Sequence, residues 1–316
     1  MVRNPMINNL TDEKIKFLED KAREIRISII EMLVSAGSGH SAGPLGMTDI
    51  FATLYFFVLR HNPKKPDWEE RDRLILSNGH INPVLYATMA HAGYFPVSEL
   101  LTLRKFKTRL QGHPHRDFLP SLETSSGPLG SGLSQAVGMA IADRMPTRAG
   151  GHASAGGDKS NMPDRFFYCI MSDGELNEGQ SWEAIMLAGR EKLGNLIVIL
   201  DRNNIQIDGY TEDVMPLEPL SHKFESFNWH VEEINGHDYS AIVEAIGRAQ
   251  AVFDGPSIII ARTIPGKGVS FMERDYKWHG SPPGTEMKGE PPKDEQAKIA
   301  LHDLRTLGGQ IKSEHE

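Results

Sequence analysis

Asp173 and Asn203 lie about thirty residues apart, each just beyond a short apolar run. One oxygen from each can ligate a single hard cation. Magnesium then completes an octahedral oxygen shell with water and phosphate oxygens. Gly174, next to the carboxylate, lets the backbone come close to a phosphate. By themselves these residues also read as a cap at Asp173 for a helix beginning near Gln180, and a turn at Asn203-Asn204. Four histidines stand beside glycine, in Gly39-His40, Gly79-His80, Gly112-His113-Pro114 and His279-Gly280. Imidazole can donate to an anion and move a proton near neutral pH, although one such pair alone is no evidence of either. Gly127-Pro128-Leu129-Gly130-Ser131-Gly132 precedes a helical pattern, as an anion-binding helix start does. Cys169, the single cysteine, sits in an apolar stretch and reads as a buried strand residue rather than a nucleophile.

The elements that must position these residues alternate in type. Ile15, Leu18, Ala22, Ile25, Ile29 and Met32 recur at steps of three and four, which predicts a helix over about 11–36 with Gly37 as its C-cap. A second, deeply buried helix is expected over 48–59. Short apolar runs at 74–76, 166–171, 196–200, 231–234 and 257–261 read as strands, with helical patterns at 80–92, 131–144, 181–192, 239–253 and 295–307. Apolar strands alternating with helices predict an α/β fold, a parallel β-sheet with helices on both faces. Ser77-Asn78-Gly79-His80, Ser172-Asp173-Gly174-Glu175, Asp201-Arg202-Asn203-Asn204, Gly236-His237-Asp238 and Pro265-Gly266-Lys267-Gly268 each follow one strand. Ligands of open parallel sheets bind outside the carboxyl ends of the strands, so these five segments point to one shared cleft. The 1–316 chain reads as a single domain with a flexible, glycine-rich insertion at about 145–163, which includes a solvated His152, and a frayed tail after 308. Gly236-His237-Asp238 reads as a turn, with Asp238 capping the next helix.

The bulk numbers narrow the function classes. The 316 residues carry a net charge of -8, with 39% hydrophobic and 24% charged residues, an ordinary globular balance. A mildly acidic chain suits neither a nucleic-acid backbone nor an anionic membrane surface. One cysteine allows no internal disulfide, the N-terminus lacks a signal-peptide core, and the apolar run at 50–59 is too short to span a bilayer. A cytoplasmic enzyme is expected.

Ser172-Asp173-Gly174-Glu175-Leu176-Asn177-Glu178-Gly179, followed by Asp201-Arg202-Asn203-Asn204-Ile205-Gln206-Ile207-Asp208-Gly209, resembles the thiamine-diphosphate fingerprint in its transketolase form. The four histidine motifs and Gly127–Gly132 match transketolase positions in the same order, and the likeness runs from about Ala22 to about Pro282. The resemblance implies a thiamine-diphosphate-binding fold. It implies that Asp173, Asn203 and the Ile205 carbonyl ligate Mg2+, Ca2+ or Mn2+, and that Gly174, His80 and His279 contact the diphosphate. Gly127 and Leu129 would meet the aminopyrimidine, and Ile207 the thiazolium ring. His40, His113 and His279 would surround the sugar hydroxyls and the reacting carbon, and Glu178 would stand at a subunit boundary. Ser172 replaces the first glycine of the fingerprint, Ser131 stands where the fused enzymes carry Gln, and His115 where they carry Glu.

No second parallel α/β pattern follows Gly280. In the family, a second domain supplies the glutamate that meets the pyrimidine ring and the basic residues for substrate phosphate. The resemblance therefore implies a split enzyme of the pentose phosphate pathway, with a separate C-terminal transketolase subunit carrying the pyrimidine-binding domain, and a heterotetramer with sites between chains. The expected reaction is reversible transfer of a two-carbon ketol unit from a ketose phosphate to an aldose phosphate. Other readings are an α-subunit of a 2-oxoacid dehydrogenase, a deoxyxylulose-phosphate synthase, a transketolase for an unusual sugar, and a non-catalytic chain retaining the fold.

Overall fold

The structure, a computed structural model, describes residues 10–145 and 165–306. The insertion expected beyond Met145, its His152, and the tail after 308 lie outside the described residues. Helix α1 (Asp12–Ala36) begins at Thr11, whose hydroxyl accepts the Lys14 N–H, and ends at Gly37 in the left-handed region (φ 66°), as its sequence predicts. The helix expected over 48–59 differs in form. After α2 (Ala42–Gly46), α3 (Thr48–Thr53) passes directly into a π-helical turn, Leu54–Val58, where the Leu59 N–H reaches back to the Leu54 carbonyl.

The rest alternates strand and helix. Strand β1 (Arg73–Leu76) leads to α4 (Asn82–His91) and α5 (Ser131–Arg144), and β2 (Phe167–Ser172) to α6 (Gly179–Glu191). Strand β3 (Leu196–Arg202) runs into a small hairpin of β4 (Ile205–Gln206) and β5 (Gly209–Tyr210), then α7 (Thr211–Val214) and α8 (Leu220–Ser226). Strand β6 (His230–Asn235), α9 (Tyr239–Gln250), β7 (Ser257–Arg262) and α10 (Lys293–Thr306) complete the described chain.

Five strands pair in the order β1-β2-β3-β7-β6, all parallel. Alternate residues feed two cores, because successive strand side chains point to opposite faces. Tyr168, Ile170, Ile197, Ile199 and Ile259 pack in a core shared with α1, α3, α4, α9 and α10. Ile75, Cys169, Val198, Ile258 and Ile260 pack in a second core shared with α5, α6 and α8. Helices thus cover both faces, and Cys169 is a buried core residue. A fully parallel sheet places every carboxyl end on one rim, and the winding direction reverses between β3 and β7, the place where ligands of such sheets bind. Among the described residues no helix is long and apolar enough to cross a membrane.

Candidate functional site at the carboxyl rim of the sheet

The ends of β2 and β3 bring Asp173 against the Asn203–Ile205 segment. Asp173 is wholly buried just past β2; its Oδ2 accepts the Asn204 N–H (2.7 Å) and Arg202 Nη1 (2.8 Å). Asn203 is held in one orientation. Its Nδ2 donates to Asp201 Oδ2 (2.8 Å), and its Oδ1 accepts the Ile205 N–H (3.0 Å). Asp201 is itself fixed by the Thr263 hydroxyl from the end of β7. The Gly174 N–H is turned to Asp173 Oδ1 (2.7 Å), so it can reach a diphosphate oxygen only by sharing that bond.

The electrostatics of this cluster favour a cation. Arg202 Nη2 also meets Glu212 (2.7 Å) and Glu218 (3.2 Å), so one guanidinium faces three carboxylates, with Asp201 alongside. Burial and the neighbouring Asp173 charge lift Asp201 to about 7, against the pull of its Thr263 and Asn203 bonds. Burial also raises Asp173, against Arg202 and two backbone donors. Such an excess of negative charge fits a divalent ion held by an Asp oxygen, an Asn oxygen and a carbonyl. No group of three His, Cys, Asp or Glu side chains among the described residues is placed to hold a metal unaided.

Three of the four expected histidines form one cluster. His40, His80 and His279 have ring centroids 4.9, 5.4 and 5.0 Å apart, taken pairwise. His40 Nδ1, His279 Nδ1 and both amide atoms of Asn78 are buried with no hydrogen-bond partner among the described residues. Orphaned polar atoms at one place fit a polar ligand. Burial lowers all three histidines: His40 to about 3, helped by the His279 and Arg104 charges, His279 to about 4, and His80 well below its usual value. They are neutral at pH 7, so each ring offers one donor and one acceptor nitrogen.

His113 is exposed but adjoins the cluster through the glycine loop. A methyl on Gly127 (φ 153°) would lie 3.7 Å from His113 Cγ, and one on Gly79 would lie 2.5 Å from Ser126 Oγ and 3.0 Å from Gly127 N. The absence of Cβ at both positions lets the His80 and His113 segments meet. Leu129 is half-buried, and its carbonyl accepts Gln180 Nε2 (2.9 Å) from α6. Glu178 and Ile207 make no hydrogen bond to the histidines among the described residues and are both exposed; Ile207 is 70% exposed.

Because burial depresses His40, its folded form binds a proton only near pH 3, whereas the unfolded form does so at about 6.5. Its contribution to stability is intact above pH 6.5 and erodes as the pH falls towards 3. The stability of the wild type relative to His40→Gln should therefore decline on acidification, by at most about 1.4 kcal/mol per pH unit below 6. Denaturant unfolding of both chains at pH 7, 6 and 5 reads this directly, and parallel profiles would refute it.

Several positioning residues carry no local sequence signal. Glu175, buried after β2, accepts the Ser77 hydroxyl, the Gly130 N–H (2.6 Å) and the Ser172 N–H (3.3 Å), tying three rim segments to one carboxylate. His237 is buried. Its Nδ1 donates to Asp49 (2.8 Å), and its Nε2 accepts the Ile264 N–H (2.8 Å), which anchors the segment after β7. Asp238 caps α9 as expected, and Asp173 caps only the short 3-10 turn Gly174–Asn177 rather than α6.

The fold is a parallel α/β domain whose buried carboxylates and neutral histidines gather at the carboxyl rim of the sheet. The family profile described as "Transketolase, thiamine diphosphate binding domain" matches residues 18–290. The chain belongs to the transketolase family, through this domain. It is 41% identical over 262 residues to the 6-deoxy-6-sulfo-D-fructose transketolase subunit SqwG of Clostridium sp. (strain MSTE9), covering 83% of this chain and 90% of that protein. It is 43% identical over 270 residues to transketolase 2 of Escherichia coli, covering 85% of this chain but 40% of that protein. Transketolase from Leishmania mexicana superposes with a TM-score of 0.80 at 33% identity, over 94% of this chain and 42% of that one. The chain thus spans under half of the transketolases from Escherichia coli and Leishmania, and nearly all of a relative named as a subunit.

Proposed function

We propose that this chain is the diphosphate-binding half of a two-chain transketolase, which moves a two-carbon ketol unit between a ketose and an aldose phosphate. The observation that carries the reading is the cluster of three neutral histidines, two of which (His40 and His279) keep a buried Nδ1 with no hydrogen-bond partner among the described residues, on the same sheet rim as the bonded Asp173–Asn203 turn. Asp173, the Asn203 oxygen and the Ile205 carbonyl hold Mg2+ or a similar divalent ion. His80, His279 and the Gly174 amide hold the diphosphate; Gly127, Leu129 and Ile207 line the rings. Thiamine diphosphate, when bound, supplies the electron sink for breaking a carbon–carbon bond beside a carbonyl. His40, His113 and His279 orient the sugar hydroxyls and pass protons at their ring nitrogens, a task for which neutral imidazole carries both a donor and an acceptor. Glu178, exposed at the rim, faces a separate pyrimidine-binding subunit. That subunit completes each site, in an assembly of two copies of each chain in the cytoplasm.

A second reading, a transketolase for a sulfonated ketose, is favoured by the match over 90% of a subunit named for 6-deoxy-6-sulfo-D-fructose. Both readings are tested by reconstituting the chain with a pyrimidine-domain partner, thiamine diphosphate and Mg2+. Ketol transfer from xylulose 5-phosphate or 6-deoxy-6-sulfofructose is expected, at a rate at least ~100 times that of either chain alone. Turnover of pyruvate in place of both sugars would overturn the assignment.

A further inference from the structure

We infer that Arg104 forms, on this chain, a recognition point for the terminal oxyanion of the sugar substrate; the inference rests on the ketol-transfer reading and deepens it. The guanidinium lies at the mouth of the histidine cluster. Ideal Cβ positions on Gly112 lie 3.1 Å from Arg104 Nε and Cζ, and on Gly39 3.7 Å from Nε, so the group rests on the backbone next to His113 and His40. A side chain at Gly112 would push it aside.

The backbone commits Arg104 to this place. It is a non-glycine residue in the left-handed region (φ 60°), and its N–H closes a loop onto the Leu110 carbonyl (3.0 Å). Such a conformation is costly and persists where the surroundings impose it. The side chain has one hydrogen bond, a long one from Nη1 to Ser38 Oγ (3.5 Å), and no carboxylate in ion-pair range among the described residues. Arg26, Arg71, Arg109, Arg165 and Arg202 contrast with it, each pairing with an Asp or Glu. Its charge also reaches the ring of His113 and helps to lower it, after burial. An exposed, seated guanidinium with free donors beside the sugar-binding histidines suits a planar match to a phosphate or a sulfonate.

The test uses the reconstituted two-chain holoenzyme, with Arg104→Met and Arg104→Lys in this chain. The substrate arms are a phosphate-terminated ketose, a sulfonate-terminated ketose, and the uncharged acceptor glycolaldehyde. Arg104→Met should lower kcat/KM by about 10–100-fold with the oxyanion-terminated substrate that the enzyme uses, chiefly through KM, and at least ten times less with glycolaldehyde as acceptor. Arg104→Lys should recover part of the loss, because charge remains without the fork. The ketose arm that shows the loss identifies phosphate or sulfonate as the source. Equal losses with charged and uncharged substrates, or none, would overturn the inference. Absence of glycolaldehyde turnover in the wild-type pair would instead count against ketol transfer itself.

Discussion

Asp173→Ala should abolish Mg2+-dependent retention of thiamine diphosphate, weakening it by at least about 100-fold. The carboxylate is completely buried, and its Oδ2 is tethered by the Asn204 N–H and Arg202. The other oxygen, Oδ1, accepts the Gly174 N–H (2.7 Å), so the whole carboxylate is fixed in place. Alanine removes a charge that neither the Asn203 amide nor a carbonyl replaces. Arg202 keeps Glu212 and Glu218 as partners, whereas the Asn204 and Gly174 N–H groups lose their acceptor, so some stability is lost along with the cation site. Calorimetric titration of the two-chain enzyme measures the affinity, and cofactor-free melting checks the fold. Asp173→Asn, which keeps the volume and an acceptor for Asn204, should bind the cofactor nearly as poorly. Unchanged affinity in both variants would remove the cation assignment.

Glu175→Ala should cost roughly 3 kcal/mol or more of stability, because it strands the Ser77 hydroxyl and the Gly130 and Ser172 N–H groups in the interior. The melting temperature should drop by ~5 °C or more. Cofactor affinity should fall with it, since the carboxylate anchors the start of α5 and hence the Gly127–Leu129 loop against β1 and β2. Glu175→Gln should lie between, since its amide nitrogen, set against one of these donors, offers no acceptor. A variant melting within 1 °C of wild type would show that the three segments hold themselves in place.

The fold was legible because its three central strands, β2, β3 and β7, are buried almost throughout. A strand buried on both faces is an unbroken apolar run, and those at 166–171, 196–200 and 257–261 recur in β2, β3 and β7 within two residues. The edge strand β6, half-buried along much of its length, gave a weaker pattern. The π-helical turn at Leu54–Val58 left no trace, since one extra residue in a turn does not disturb an apolar stretch. In the site, Asp173, Asn203 and the histidine–glycine pairs were legible through motif order. The residues that orient them were not. Glu175, Asp201 and Arg202 stood inside the strand-end segments, but nothing in their spacing assigned them a partner. The partner that explains His237, Asp49, belongs to a helix near the other end of the chain. Local sequence carries no signal for contacts of that span.

The ion pair between Asp143, at the end of α5, and Arg165, just before β2 (2.9 Å), sits at the amino ends of the strands, away from the rim. It makes the exit and re-entry points of the intervening stretch neighbours. Closing a segment whose ends are already adjacent costs only about 0.6 kcal/mol for each doubling of its length. A change in the number of residues between Asp143 and Arg165 should therefore alter stability little, which melting of length variants would read.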